Sequence, residues 1–287
     1  MKYAYVCTNY NNSHFTVQAV RSLNAGRTPP TLIVVVDNQS SEADRAILTD
    51  LAAAHGNVDV VLNEHNVGYF AGLNVGISRS RALEPAVSAM IVGNNDLEFP
   101  SDFGDRLTEV VVDGGERPVI SPYVETLDGV PQNPHVVAGI SRARELVYDL
   151  YYSNYHLAKL IRAIAHRTRR VSDRRDEQGF ATPGFIYQGH GSCYILTSVF
   201  FDRFGELWAP TFLMGEEYFL SRQLAEQGYM TYYDPRVRIV HRCNGALENV
   251  PARKMWGLAR DAHRVYRRYV KPWHRQAHRF HRKSSDV

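Results

Sequence analysis

Along the first hundred residues, short apolar runs alternate with amphipathic stretches, and each run stops at a cluster of polar side chains. Residues 2–7 read as a buried strand; the TNYNNSH that follows offers helix-capping side chains, and residues 15–23 carry helical spacing. TLIVVVDNQSS, at 31–41, is a β-branched run closed by turn residues, the pattern of a parallel strand whose carboxyl end opens into a loop. A helix over 42–56, with Gly56 placed to end it, leads to a third strand over 58–66. A glycine-rich helix start, NVGYFAGLNVGISRSRAL, then precedes AVSAMIVGNNDLEFP, another apolar strand that halts at amides and an acid. This alternation predicts an α/β fold with a doubly wound, mostly parallel sheet and right-handed crossovers. Ligands of such sheets gather beyond the carboxyl ends of the strands. The clusters at residues 8–9, 37–41 and 94–96 are therefore expected to converge on one site.

From about residue 140 the pattern changes. Residues 143–177 are rich in Tyr and Arg and predict one or two helices followed by a charged loop; a strand and short helix follow over 185–205. GEEYFLSRQLAEQGY predicts a helix ended by Gly228, MTYYDPRVRIVH late strands, and the remainder a helix. Apolar residues at 44% and charged residues at 22% fit an ordinary globular chain rather than a disordered or collagen-like one. No apolar run is long enough for a membrane span and the opening residues lack a signal-peptide pattern, so a cytoplasmic location is expected. Cys7, Cys193 and Cys243 are scattered singly, which argues against a disulfide framework and against a zinc cage. Charge is uneven: residues 251–287 hold eleven Lys/Arg against two Asp. Such a segment either rests on an anionic membrane surface through a face of Met255, Leu258, Ala262, Tyr266 and Tyr269, or packs on the domain with its basic side in water. Nucleic acid is not expected, because no recognised binding module accompanies the charge.

Three clusters carry candidate chemistry. In GNND, at 93–96, Asp96 follows a buried strand, where a carboxylate suits a divalent cation beside a diphosphate; a plain polar turn is the other reading. Asp37, in VDNQSSE, either accepts hydrogen bonds from a pyrimidine or ribose or, with Ser40, caps the next helix. The adjacent carboxylates Glu216 and Glu217 open a helix, where only one of them can face a given site; the pair either complements the helix dipole or supplies a general base. His241 follows VRIV and is either structural or a ligand to metal or phosphate. The glycines of NVGYFAGLNVG suit close backbone approach to a ligand, but neither GxxxxGK[ST] nor a post-strand GxGxxG is present, which disfavours a nucleoside-triphosphatase loop and a dinucleotide fold.

Taken in order over residues 3–245, TNYN, VVVDNQSSE, NEHNVGYFAGLNVGI, GNNDLEF, GHGSCYILT, GEEYFLSRQLAEQGY and VRIVH resemble the family 2 inverting glycosyltransferases with the A-type nucleotide-sugar fold. That resemblance implies a catalytic domain over residues 1–250, with a nucleotide-binding half at about 1–100 and an acceptor-side half at about 101–250. The basic helical segment 251–287 is then a carboxyl-terminal appendage. It implies that Thr8, Asn9 and Asp37 hold base and ribose; that Asn66, Gly68, Gly72 and Asn74 line the nucleotide pocket; and that Asp96, with Asn95 alongside and His241 as a further ligand, binds Mg²⁺ or Mn²⁺. Glu217 becomes the catalytic base and Glu216 its supporting neighbour. The implied donor is dTDP-rhamnose or a UDP-sugar, and the acceptor a saccharide or lipid-linked saccharide in cell-surface polysaccharide synthesis, met at the inner face of the membrane. Two features depart from the family's pattern: the metal cluster has one acid instead of two, and Glu stands where the base is usually Asp. The first keeps a non-catalytic sugar-binding relative open as an alternative. A metal-dependent nucleotidyltransferase is the other, although TNYNNSH lacks the glycine and lysine of a pyrophosphate loop.

Overall fold

The structure is a computed structural model that describes residues 1–167, 179–242 and 252–271. Expectations placed on residues 168–178, on Cys243 and on residues 272–287 lie outside the described residues. The first half follows the predicted order: β1 (Tyr3–Asn9), α1 (Ser13–Asn24), β2 (Leu32–Asp37), α2 (Glu42–Ala54), β3 (Val58–Leu62), α3 (Tyr69–Leu83) and β4 (Ala89–Asn94). These four strands are parallel neighbours in the order β3-β2-β1-β4. Their period of two sorts the core. Tyr3, Tyr5, Cys7, Ile33, Val35 and Ile91 face α1 and α2, while Ala4, Val6, Val34, Val36, Met90 and Val92 face Phe70, Leu73 and Ile77 of α3. Both faces are thus covered, which is why the strands read as continuous apolar runs instead of alternating ones. Each fully buried aliphatic chain of this kind contributes about 1.5–3 kcal/mol.

The second half continues the same sheet through β5 (Leu97–Glu98), α4 (Phe103–Asp113), β6 (Val119–Thr126), α5 (Arg142–Ser153), α6 (Tyr155–Arg167), β7 (Gly184–Ile186), β8 (Cys193–Thr197), α7 (Ser198–Arg203), α8 (Glu216–Glu226), β9 (Thr231–His241) and α9 (Ala252–Tyr266). The sheet runs β3-β2-β1-β4-β8-β6-β9-β5, with β7 also paired to β9. Of its nine strands, β5, β7 and β8 run against the other six. The Tyr-rich stretch forms two helices because Asn154 adopts an extended backbone and its side chain accepts the N–H of His156 at 2.8 Å, capping α6. The helix predicted to end at Gly56 stops at Ala54, with His55 extended as its cap. Gly228 performs the predicted stop after α8 with a left-handed φ of 82°.

The basic carboxyl segment packs on the domain across residues 252–271. Trp256 Nε1 donates to the Tyr151 carbonyl at 3.2 Å, Tyr266 donates to buried Glu145, and Arg267 pairs with Glu145 at 2.7 Å. Val270 is buried against Tyr218 and Phe219 of α8. Ala262 and Tyr266, part of the face expected to meet a membrane, are therefore turned inward. Among the described residues no helix is long and apolar enough to cross a membrane.

Candidate active site

Parallel register sets the carboxyl ends of the strands side by side: Asn9 lies opposite Asp37, and Thr8 opposite Asn94. Asn9 is the hub behind them. Its Nδ2 donates to Asp44 Oδ2 at 2.7 Å and reaches Asp37 Oδ1 and Ser40 Oγ at 3.1 Å each; its Oδ1 accepts from Thr16 at 2.9 Å and from Asn95 at 3.1 Å. The Asn95 amide also donates to Asn12 at 2.8 Å and to Thr16 at 2.7 Å, so it closes this buried network. Asp37, with 0% side-chain exposure, is paired with Arg45 at 2.8 Å and accepts the Ser40 N–H at 3.0 Å. The following helix is capped by Ser41, whose side chain accepts the Asp44 N–H at 3.4 Å.

The glycines of residues 66–76 clear space for neighbouring protein segments. A Cβ on Gly72 would sit 2.8 Å from the Thr8 methyl and 2.9 Å from Asn38 Nδ2, so glycine lets α3 lie against the end of β1. At Gly68 (φ 92°) the loop before α8 crosses the start of α3, and the Phe212 carbonyl takes the Tyr69 N–H at 2.9 Å. Asn66 Oδ1 accepts the Gly68 N–H at 3.0 Å, while Asn74 makes a two-way clamp to the Leu207 backbone at 2.7 and 2.9 Å.

Asp96 and His241 meet because β5 and β9 are antiparallel, with Leu97 opposite His241, and because the Arg242 N–H reaches the Asp96 carbonyl at 3.0 Å. His241 Nδ1 lies 2.7 Å from Gln132 Oε1, an atom that can only accept, so Nδ1 carries the proton and Nε2 the lone pair. Asn94 Nδ2 stands 3.1 Å from that lone pair. Asp96 Oδ1 is 3.2 Å from Nε2, an ion-pair distance, yet this buried oxygen has no hydrogen-bond partner. Asp96 Oδ1 and His241 Nε2 thus stand side by side, with Asn94 Nδ2 against the same ring nitrogen. An unpaired carboxylate oxygen beside an imidazole nitrogen oriented through its other ring nitrogen fits a divalent cation. Among the described residues no three or more His, Cys, Asp or Glu side chains group into a metal cage. The pair would thus hold Mg²⁺ or Mn²⁺ with the remaining positions left to oxygen ligands from outside the protein.

The acids of α8 diverge as helix geometry requires. Glu216 is buried and accepts the Met214 N–H at 2.8 Å, and its pKa is pushed up to about 8, by burial first and then by the charge of Glu217. Glu217 is half-buried and lies against Gly191, where a Cβ would stand 2.6 Å from its Oε1. His190 bridges the two acidic regions. Its Nδ1 accepts the Ser192 N–H at 3.3 Å, which leaves the proton on Nε2. Burial lowers its pKa to about 4, assisted by His135 and His241 and opposed by Glu217 and Asp96. The buried Tyr69 hydroxyl, which donates to the Gly191 carbonyl at 2.8 Å, also feels Glu216, Asp96 and Glu217. The His190 ring lies 5.8 Å from that of His241, the neighbour of Asp96, and Gly191 beside it abuts Glu217, so the two acids flank one pair of histidines.

Placement divides the expected residues. Asp96, His241 and Glu217 converge, with Glu216 behind Glu217. Thr8 and Asn66 are half-buried at the end of β1 and before α3, while Gly68 and Gly72 are buried against Phe212 and against Thr8 and Asn38. Asn9, Asp37 and Asn95 are buried and Asn74 is half-buried, and each makes side-chain hydrogen bonds to protein. Sequence reasoning passed over His190, Tyr69 and Gln132. GHGS, a histidine between two glycines just before a strand, was a usable signal for the first; nothing local marks Gln132.

Residues 6–138 match the model of the family described as Glycosyl transferase family 2. No curated protein matches the chain. Among solved structures the chain is similar to GalNAc-T7 with UDP, GalNAc and Mn²⁺, at 14% identity and a TM-score of 0.57, covering 84% of this chain and 44% of that one. It is also similar to S. aureus TarS 1–349 in complex with UDP-GlcNAc, at 13% identity and a TM-score of 0.53, covering 88% of this chain and 62% of that one. The chain thus spans 44% and 62% of the length of these two structures. At such identities the likeness shows the fold, which is the A-type glycosyltransferase fold.

Proposed function

We propose that this protein is a metal-dependent inverting glycosyltransferase that moves a sugar from a nucleoside-diphosphate donor to a carbohydrate-bearing acceptor. The observation that carries the reading is the meeting of an unpaired Asp96 oxygen and an oriented His241 nitrogen with Glu217 around His190 and Tyr69. A UDP-sugar is favoured over dTDP-rhamnose, because the two similar structures hold UDP and UDP-GlcNAc.

In this reading Thr8, Asn66, Gly68 and Gly72 touch the donor, while Asn9, Asp37, Asn74 and Asn95 hold the loops that shape its pocket. Asp96 and His241 would hold Mg²⁺ or Mn²⁺, with Gln132 orienting the imidazole. A bound divalent cation neutralises negative charge on the departing diphosphate. Glu217 accepts the proton of the acceptor hydroxyl as its oxygen bonds to the anomeric carbon and the carbon–diphosphate bond breaks on the opposite side, inverting the configuration. Glu216 is held protonated by burial and by its neighbour Glu217. Neutral His190 presents Nε2–H beside that centre without adding positive charge.

The test is transfer and donor hydrolysis with added Mn²⁺ in wild type, Asp96→Ala and Glu217→Gln. Both variants should lose transfer while remaining folded. Full transfer by Glu217→Gln would remove the base assignment, and metal-independent activity in Asp96→Ala would remove the metal assignment.

A further inference from the structure

The loop at residues 189–192 is held at four consecutive positions. The Gly189 carbonyl accepts from the Tyr194 hydroxyl at 2.9 Å, and the His190 N–H reaches Asn133 Oδ1 at 3.1 Å. The Gly191 carbonyl accepts from the Tyr69 hydroxyl at 2.8 Å, and the Ser192 carbonyl accepts the Asn94 N–H at 2.9 Å. Three of these anchors belong to the sheet or are bonded to it: Tyr194 lies on β8, Asn94 ends β4, and buried Asn133 donates to Ser121 of β6 at 2.7 Å. Tyr69 is the exception. It opens α3, in the other half of the chain, and none of the roles above uses its hydroxyl.

What Tyr69 fixes lies against the proposed base. A Cβ on Gly191 would stand 2.6 Å from Oε1 and 3.1 Å from Cδ of Glu217, so the Gly191 backbone is the surface on which this carboxylate rests. The backbone of Tyr69 holds the other flank, because its N–H donates to the Phe212 carbonyl at 2.9 Å in the loop that leads into α8. One residue thus ties down the segments on both sides of Glu217. The Tyr69 ring packs against the apolar cluster that includes Phe70, Leu73 and Leu220, and a phenyl ring would keep that packing. The hydroxyl is therefore separable from the core. Burial, followed by the charge of Glu216, pushes its pKa well above the ordinary value, so it remains a hydrogen-bond donor at neutral pH.

We infer that Tyr69 is a positioning residue for the base: its hydroxyl fixes the Gly191 carbonyl, and the Gly191 backbone in turn sets where the Glu217 carboxylate stands toward the acceptor hydroxyl. The inference rests on the glycosyltransferase reading and adds to it a part that touches neither sugar nor metal. Misplacing a reacting group by about 1 Å costs up to about 10²-fold in rate, so a hydroxyl at this point acts on turnover and not on donor binding.

The experiment uses the full chain with Mn²⁺, follows release of the nucleoside diphosphate from UDP-GlcNAc, UDP-GalNAc and dTDP-rhamnose, and measures UDP and dTDP binding by calorimetry. Tyr69→Phe should lower kcat about tenfold while the donor KM and the nucleotide affinity stay within about twofold of wild type. In a Glu217→Gln background the same change should cause no further loss, because two residues that act through one group are not additive. Gly191→Ala, whose methyl displaces the carboxylate, should lower kcat at least as much with nucleotide binding kept, and it decides alone if Tyr69→Phe does not fold. Wild-type kcat in either folded variant overturns the inference. So does a loss from Tyr69→Phe that is equally large with and without Glu217, since that would mark a role independent of the base. These outcomes leave an active wild-type enzyme and the glycosyltransferase reading intact; a wild type that binds neither nucleotide and turns over none of the donors removes that reading and the positioning role with it.

Discussion

The two parts of the candidate site, the ends of β1, β2 and β4 and the region of Asp96, Glu216 and Glu217, are built on opposite plans. Behind the ends of β1, β2 and β4, the side chains of Asn9, Asn95, Asp37 and Thr16 engage one another in a buried network. Across from it, Asp96 has an unpaired oxygen, Glu216 keeps its proton to about pH 8, and Glu217 leans on a glycine that leaves it room. Saturated groups hold a shape; unsatisfied ones are costly and persist where a ligand or a reaction completes them. The contrast locates chemistry on one side and precision on the other.

Variants should separate the two plans. The largest effect is expected from Glu217→Gln, which removes the base and should lower kcat about 10²–10⁴-fold with little change in unfolding midpoint, read by transfer assay and denaturant titration. Asn9→Ala attacks the other plan. By stranding several buried partners it should cost about 2–4 kcal/mol of stability, and a denaturation midpoint like that of wild type would show the network to be dispensable. Gln132→Ala leaves both metal ligands in place but frees the His241 ring; Mn²⁺ affinity measured by calorimetry should fall about 10–100-fold, with unfolding nearly unchanged.

The smallest effect concerns pH. The folded pKa of Glu216 is raised from its ordinary value of 4.5 to about 8, so the folded chain binds this proton more tightly than the unfolded one. The associated stability is complete below about pH 4.5 and is lost as pH rises through about 8. Glu216→Gln should flatten that decline by on the order of 1 kcal/mol, after discounting the share owed to Glu217. Parallel stability–pH curves for wild type and variant between pH 5 and 8 would show that Glu216 does not hold the proton.

Much of the first half was legible along the chain, because parallel strands buried on both faces write themselves as apolar runs and their polar stops mark one edge of the sheet. Residues 32–37 and 89–94 are read that way without ambiguity. The second half was legible only in pieces. GEEY announced a helix start with two acids, but which one opens to the site depends on Met214 and Gly191. The Tyr-rich helices gave no hint that Arg267 and Tyr266 would anchor on Glu145 and turn the basic segment inward. Burial also added contacts that the sequence did not announce: Asp37 pairs with Arg45, and Asn95 bonds Asn9, Asn12 and Thr16.

Local periodicity determined the alternating elements, the double covering of the sheet and the edge where polar residues collect, since each depends on neighbours a few positions apart. Only the tertiary structure decided that β9 returns beside β5 to put His241 against Asp96, and that the loop at residues 189–192 carries His190 between Asp96 and Glu217. Those meetings depend on strand pairing across most of the chain, and pairing energy is shared by backbones whose hydrogen bonds carry no mark of which side chains they bring together.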